Sequence, residues 1–170
     1  MTASGTTAGS DAASGEPRPP GRDPAGSDLV ERLRARLASS PALAPLGITL
    51  EALALDDCVL GLPYRRELTN GSGTVHGGVL ATLADTAVAF ALSTNFDGKM
   101  GFATADLTIH YLARVRSDVR ARARILKKGR RVNVGDVEIT DAAGRPLARA
   151  LATFLLTTST FDAPKGKTEE

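Results

Sequence analysis

The chain has 170 residues, of which 42% are hydrophobic and 24% charged, and it contains one cysteine and no tryptophan. This length favours one domain, and the apolar fraction is ordinary for a globular protein. A single cysteine excludes both a disulfide-stapled secreted scaffold and a zinc finger built on cysteine pairs. The formal charge of +2 by itself indicates no particular partner. A lone cysteine agrees with a reduced cytoplasmic location, which we expect for this protein.

The two ends differ in composition from the middle of the chain. Residues 1–26 consist mostly of Ala, Ser, Gly, Thr and Pro and contain no Val, Ile, Leu or aromatic residue. Such a segment cannot bury enough apolar surface to offset its ordering entropy, so we predict disorder there. It also lacks the apolar core of a secretory signal. The polar residues 158–170 are predicted to be a flexible tail, which leaves residues 27–157 as the folded domain.

The first half of the domain is predicted to contain a helix, two strands and a second helix. Ser27 and Asp28 are helix-capping residue types, and apolar residues follow at helical spacing until Pro41. Strand-like runs at 47–55 and 58–64 are separated by a turn at Asp56 and Asp57. A glycine-rich loop at 70–78 leads into 79–93, which is apolar on every side except for one carboxylate and small hydroxyls. We therefore predict a helix that is buried all round and too short to span a membrane.

The second half is predicted to be four strands joined by hairpins. Apolar and polar residues alternate over 103–111 and 119–125, and Gly129 lies at a hairpin turn. Val132 and Val134 have the opposite parity from the apolar residues at 137 and 139, and this slip at Gly135 indicates a β-bulge. A turn at 141–144 precedes the last strand at 147–156. An antiparallel sheet with one apolar helix against its inner face makes an α+β domain.

The second helix carries the candidate site. Asp85 is flanked by apolar residues, and burying an unpaired carboxylate is costly unless partners are supplied. Burial would raise its pKa and nearby donors would lower it, while a purely structural role as a polar staple is the alternative. At His76-Gly77-Gly78 the first-turn N–H groups lack helical partners and favour negative charge, as in an oxyanion hole. The alternative there is a plain glycine loop with a surface histidine.

The spacing of these two features predicts a second copy of the chain. Gly77 and Asp85 are eight positions apart in the sequence, which is about 12 Å along a helix. One small reacting group cannot touch both within a single helix. Two such helices packed antiparallel about a twofold axis would bring Asp85 of one copy beside Gly77 of the other. If the features are catalytic, we expect a homodimer with two shared sites.

One stretch of the chain strongly resembles a known family. The run Asn70-x-x-Gly73-x-x-His76-Gly77-Gly78, followed by Asp85, is similar to the hotdog-fold acyl-CoA thioesterases of the phenylacetic acid degradation (PaaI) type. Residues 104–112, 127–131 and 141–144 also look like that family. The resemblance implies a hotdog fold, in which a long central helix is wrapped by an antiparallel sheet, here of the six strands counted above. It also implies homodimers, and often dimers of dimers that form a homotetramer.

The resemblance implies roles for single residues. Asp85 would be the nucleophile or the general base that activates water, and the Gly77 N–H would bind the thioester carbonyl oxygen. His76 and Asn70 would orient the thioester and its leaving sulfur. Two further residues are expected to contact the substrate, namely Gly78 and Thr86.

Thr104 matches a family position that often carries a water-orienting hydroxyl. Strand alternation, however, places Thr104 on the same face as Asp106 and Thr108, away from the helix. It would reach the site only from the edge of the sheet or through a bulge.

Residues 114–131 contain nine Lys or Arg and one acidic residue, Asp118. Coenzyme A carries a pyrophosphate and a 3′-phosphate, which cationic turns bind well. We expect the turn to supply these contacts, through Lys128, Gly129, Arg130 and Arg131. The strand residues Arg120, Arg122 and Arg124 are expected to form a solvated outer face. Nucleic acid is a weaker candidate because the run has no aromatic side chain for stacking.

The leading hypothesis is an acyl-CoA thioesterase that releases a carboxylic acid and coenzyme A, with no cofactor beyond the coenzyme A of the substrate. The alternatives are a hotdog hydratase or dehydratase acting on acyl thioesters and a non-catalytic acyl-CoA-binding module. We expect no metal site, because the chain has two histidines and Cys58 is predicted to be a buried structural thiol. No nucleic-acid or membrane partner is expected.

Overall fold

The structure is a computed structural model that describes residues 26–96 and 101–157. Apart from Gly26, the segment 1–26 and the tail 158–170, for which disorder and flexibility were predicted, lie outside the described residues. The elements run in the predicted order, helix, two strands, helix and four strands: α1 (Ser27–Ser39), β1 (Thr49–Ala54), β2 (Asp57–Leu62), α2 (Gly77–Ser93), β3 (Gly101–Tyr111), β4 (Val119–Lys127), β5 (Val132–Asp141) and β6 (Pro146–Thr157).

All six strands form one antiparallel sheet in the order β1-β2-β4-β5-β6-β3, and α2 packs across its inner face. The core lies between α2 and the sheet, where Leu83, Val88, Leu60 and Ile139 are almost fully buried. The predicted α+β hotdog architecture is therefore confirmed. Within the described residues, neither helix is long and apolar enough to cross a membrane.

The ends of α1 and of the first hairpin differ slightly from the prediction. Gly26 occupies the N-cap of α1 and no side chain caps it, because Ser27 and Asp28 already belong to the helix. The β1–β2 turn consists of Leu55 and Asp56, and Asp56 has a φ of 62°. Asp57 lies inside β2, where its buried carboxylate accepts hydrogen bonds from Arg122 of the neighbouring β4.

The bulge predicted at Gly135 lies instead on the partner strand. Buried residues alternate regularly along β5, whereas the pairing of β4 with β5 shifts between Ile125 and Lys127. Gly135 belongs to the inner face, because a Cβ placed there would be 2.7 Å from Cγ1 of Val88. The valines at 132 and 134 have the wrong parity because they face outward, and glycine takes the inward position so that α2 can approach the sheet closely.

The prediction that α2 is buried all round is wrong for one side. Residues at helical spacing remain half-buried or exposed, and we call them the open stripe: Gly78, Ala81, Thr82, Asp85 and Ala89. From Leu80 onwards the other residues of α2 are buried. The open stripe lies next to β3, the edge strand, because Asp85 contacts Thr104 of that strand. One apolar flank of the central helix thus remains uncovered by its own chain.

Candidate active site

Asp85 and Thr104 are joined by a short hydrogen bond. The Thr104 hydroxyl donates to Oδ1 of Asp85 across 2.7 Å. The expectation that Thr104 faces away from the helix is wrong for a local reason: the pairing of β3 with β6 shifts between Thr104 and Asp106. This bulge on an edge strand reverses the parity, so that Phe102 and Thr104 face α2 before it and Leu107 faces the core after it.

The environment of Asp85 makes its carboxylate a better base than an exposed one. The side chain is half-buried, and the resulting desolvation raises its pKa above the ordinary value. The hydrogen bond from Thr104 lowers the pKa and offsets part of this effect. A carboxylate with a raised pKa accepts a proton from water more readily than an exposed carboxylate does. The arrangement suits general-base or nucleophilic chemistry.

His76 occupies the N-cap of α2 and determines which amides stay free. Its Nδ1 accepts a hydrogen bond from the Gly78 N–H across 2.9 Å, so Nδ1 carries no proton and the neutral ring is protonated at Nε2. The backbone N–H of Gly78, expected to contact the substrate, is therefore already used. The exposed imidazole presents its Nε2–H to solvent.

The N–H of Gly77 is the amide that the first turn leaves available. The N–H groups of Val79 and Leu80 donate to the carbonyl oxygen of His76, and that of Gly78 is capped. Within 26–96 and 101–157, the Gly77 N–H alone in this turn has no hydrogen-bond partner. A helix N-terminus with one free N–H and no side chain to shield it can bind a developing oxyanion.

Asn70 shapes the glycine-rich loop and shares a cleft with Gly77. Its Oδ1 accepts hydrogen bonds from the N–H and hydroxyl of Ser72 and from the N–H of Thr74, at 2.8 to 3.3 Å. Its amide Nδ2 has no partner in the described part of the chain. The cleft has a volume of about 430 Å³ and is lined by residues that include Asn70, Gly77, Leu80, Tyr111, Leu112 and Arg114. Neither Asp85 nor Thr104 lines this cleft.

Thr86 is a buried residue of α2. It is 6% exposed, and its hydroxyl donates to the carbonyl oxygen of Thr82 across 2.8 Å. This hydroxyl is therefore used inside the helix, and the expected contact of Thr86 with the substrate stays a prediction.

Lys128 of the β4–β5 turn is held by ion pairing rather than left for a ligand. Its Nζ lies 2.9 Å from Oδ2 of Asp56 and 2.8 Å from Oδ1 of Asn95, at the C-terminal end of α2. The N–H of Gly129 donates to Asn133, and a Cβ there would be 2.6 Å from a backbone oxygen, so glycine is required sterically. The turn nevertheless has two cations to offer.

Arg130 and Arg131 are those two cations. Both are exposed, and neither side chain has a partner among residues 26–96 and 101–157. They are the part of the predicted phosphate-binding turn that stays free to bind an anion.

The arginines of β4 lie on the outer face of the sheet as expected, with Arg120 exposed and the other two half-buried, and they share that face with acidic partners. Arg120 pairs with Glu51 at 2.5 Å, while Arg122 and Arg124 both approach Asp57, at 2.7 and 3.7 Å. Acidic residues of β1 and β2 thus neutralise this part of the basic run.

Cys58 is the single cysteine of the chain, and it lies in the core of the domain. Cys58 is fully buried, and desolvation followed by the charge of Asp57 raises the pKa of its thiol, so it is an inert core residue. Among the described residues no three His, Cys, Asp or Glu side chains cluster as metal ligands.

Tyr111 is a site residue that sequence reasoning missed. Its hydroxyl donates to the carbonyl oxygen of Gly77 across 2.8 Å, and it lines the cleft. The signal was present, because Tyr111 shares the parity of Leu107 and Ile109, which pack against the core.

Several known proteins are similar in sequence to this chain. Residues 72–148 match the thioesterase superfamily. Human acyl-coenzyme A thioesterase 13 is 32% identical over 105 residues, which cover 60% of this chain and 74% of the human protein.

Two solved structures are similar over most of the chain. Thioesterase HI1161 from Haemophilus influenzae is 27% identical, with a TM-score of 0.69 over 75% of this chain and 90% of that one. A variant of the phenylacetic acid degradation protein PaaI from Thermus thermophilus is also 27% identical, with a TM-score of 0.62 over 68% and 98% of the two chains. The chain therefore belongs to the thioesterase superfamily and is a thioester hydrolase with the PaaI-like hotdog fold.

Proposed function

We propose that this protein hydrolyses acyl-CoA thioesters to a carboxylic acid and free coenzyme A. The observation that carries the proposal is the presence of two complementary groups on α2, one on its open stripe and one at its N-terminal end. These are a partly desolvated carboxylate at Asp85 and an unpartnered first-turn N–H at Gly77. The similarity to human acyl-coenzyme A thioesterase 13 supports coenzyme A as the thiol.

Asp85 drives the attack on the thioester and Gly77 holds the charge that results. The ionised carboxylate either removes a proton from water as the water adds to the carbonyl carbon or adds to that carbon itself. The carbonyl oxygen becomes an oxyanion, which the Gly77 N–H stabilises. The carbon–sulfur bond then breaks. On the general-base route the proton that Asp85 took from water passes to the thiolate of coenzyme A. On the nucleophilic route Asp85 is left as a mixed anhydride with the acyl group, and water hydrolyses this anhydride to the free acid and Asp85 and supplies the proton of the thiol. The Nε2–H of His76 and the Nδ2 of Asn70 are free donors that orient the thioester and its sulfur.

The active site requires two copies of the chain. Gly77 and Asp85 lie about 12 Å apart along α2, which is too far for one carbonyl group to contact both. The open stripe consists of small side chains, so a second α2 can pack closely against it in the antiparallel direction. In that homodimer Gly77 of each chain faces the partner's Asp85, and the edge strand β3 gains a neighbour.

The β4–β5 turn of the second chain is suited to the nucleotide end of coenzyme A. The turn lies at the C-terminal end of α2, where Lys128 contacts Asn95. Because the two α2 helices run in opposite directions, the partner's β4–β5 turn lies beyond Gly77 along the helix axis. The extended pantetheine arm of coenzyme A can run from the thioester toward that turn. Its Arg130 and Arg131 bind the phosphates, with a geometry that guanidinium groups favour. No cofactor is required, and the cytoplasmic location stays a prediction.

The test is thiol release from a panel of aryl and alkyl acyl-CoA substrates by wild type and by Asp85→Asn. The asparagine keeps an acceptor for Thr104 but cannot take a proton, so kcat should fall roughly 10²–10⁴-fold. Asp106→Asn, on the exposed side of β3, is the matched control and should retain wild-type turnover.

Stability separates lost chemistry from lost folding. Because the pKa of Asp85 is raised in the folded protein, its ionisation opposes folding as pH rises through that pKa. At neutral pH the free energy of unfolding of Asp85→Asn in urea should therefore equal or exceed that of wild type. An Asp85→Asn protein with near-normal hydrolysis would overturn the assignment of Asp85.

A further inference from the structure

One peptide unit at the start of α2 is held from both ends. It is the unit that joins Gly77 to Gly78. Its carbonyl oxygen accepts a hydrogen bond from the Tyr111 hydroxyl at 2.8 Å, and its N–H donates to Nδ1 of His76 at 2.9 Å. The two contacts come from different elements: His76 is the N-cap of α2, and Tyr111 is the last residue of β3.

This peptide unit controls the direction of the neighbouring Gly77 N–H. Gly77 has no hydrogen bond from its own N–H to hold it, and glycine has more backbone freedom than any other residue. Fixing the unit after Gly77 restricts rotation at Gly77 itself. The Tyr111 ring also lies against the glycine, because a Cβ at position 77 would be 3.0 Å from its ring carbon and its hydroxyl oxygen.

We propose that Tyr111 is a positioning residue, whose hydroxyl orients the Gly77 backbone so that its free N–H points at the thioester carbonyl oxygen. The inference rests on the proposed function, since it assigns Tyr111 to the oxyanion donor named there. Tyr111 need not touch the substrate to act. It sets the angle of a group that does, and a misdirected donor loses most of its value to a developing charge.

Tyr64 makes a comparable hydrogen bond to the glycine-rich loop at 70–78. Its hydroxyl donates to the carbonyl oxygen of Gly73 across 2.9 Å, so it makes the same bond to another glycine of the loop. Both tyrosines are partly exposed, at 36% for Tyr64 and 51% for Tyr111. If such bonds only stabilise the loop, removing either hydroxyl should have the same consequence.

The experiment compares Tyr111→Phe with Tyr64→Phe in steady-state hydrolysis of the best acyl-CoA substrate and in thermal unfolding. Tyr111→Phe should lower kcat about tenfold with KM within about twofold, since the ring remains and only the orientation of the oxyanion donor suffers. Tyr64→Phe should leave kcat unchanged. Both variants should melt within a few degrees of each other.

The outcomes separate the two proposals. Wild-type protein that hydrolyses no acyl-CoA contradicts the proposed function itself. Wild-type hydrolysis with an unchanged kcat in Tyr111→Phe overturns the role of Tyr111 while the proposed function stands. Equal losses of kcat in Tyr111→Phe and Tyr64→Phe also overturn it, because they show a general effect of loop stability.

Discussion

Thr104 adjusts the carboxylate on which the proposed chemistry depends. Its hydrogen bond lowers the pKa of Asp85 against the larger effect of desolvation, which raises it. Thr104→Val removes the donor but keeps the shape, so the pKa of Asp85 should rise further. A higher pKa leaves less ionised base at a given acidic pH. The acid limb of the kcat/KM profile should therefore move to higher pH than in wild type.

The control for this shift is Thr108→Val on the same strand. Thr108 is exposed, and its hydroxyl lies 3.5 Å from Oδ2 of Asp106, so its removal should leave the acid limb in place. Identical profiles for Thr104→Val and wild type would mean that the hydroxyl does not contact the ionised base.

For single residues, the sequence indicated which ones belong to the site better than it indicated where their polar groups point. Asp85 was identifiable because a carboxylate in an apolar helix is costly, and Gly77 because helix starts leave amides free. Which amide stays free depended on the His76 cap, a side-chain orientation that spacing does not encode. Thr104 was placed on the wrong face because a bulge depends on the partner strand as well as on the strand that contains it.

At the scale of elements, the β4–β5 turn divides its cations between structure and ligand binding. Lys128 ties Asp56 and Asn95 together, whereas Arg130 and Arg131 have no side-chain partner in the described part of the chain. Replacing both arginines with alanine should raise KM for acyl-CoA at least about tenfold and leave kcat within about twofold, because charge-assisted bonds to phosphate are lost in ground state and transition state alike.

Two comparisons make the arginine prediction specific. Acyl-pantetheine lacks the nucleotide, so its KM should not respond to the arginine substitutions. Lys128→Met should keep KM for acyl-CoA near that of wild type, because the lysine charge is already paired with Asp56. An equal rise in KM for both substrates would contradict phosphate binding by this turn.

The order and type of the elements followed from periodicity, while their irregularities did not. Alternation of apolar residues predicted the strands, and the apolar run at 79–93 predicted the central helix. The irregularity lies near Leu126 of β4, but the prediction placed it at Gly135 of β5. The reason is that Val132 and Val134, which face outward, were assumed to face the core. Only the contact of Gly135 with Val88 shows which parity is the inner one.

At the scale of the whole molecule, α2 shows what a single chain leaves incomplete. From their hydropathy, Ala81 and Ala89 are expected to lie in the core, yet both are only half-buried along the open stripe. Small residues can be buried by a second chain as well as by their own, so composition alone does not distinguish the two. The same flank carries Asp85, while the Gly77 N–H lies at one end of the helix.

A shared active site makes a prediction that no single-chain site can satisfy. In the antiparallel homodimer each site combines Gly77 of one chain with the partner's Asp85. Gly77→Pro removes the N–H at a helix position that tolerates proline, and Asp85→Asn removes the base, so each variant alone should be nearly inactive. In a mixed dimer one site receives both defects and the other receives neither. Random reassociation of equal amounts should then restore about a quarter of wild-type turnover.

The measurement is thiol release after the two inactive variants are dissociated, mixed and allowed to reassociate. Native mass spectrometry separates the mixed dimer from the two parent dimers and so measures the exchange of subunits, and each variant treated alone gives the background. Recovery requires Asp85 and Gly77 to act from different chains, because a site built within one chain would be defective in every subunit of the mixture. Exchange without recovered turnover would therefore place both groups in one chain and exclude the antiparallel arrangement of α2.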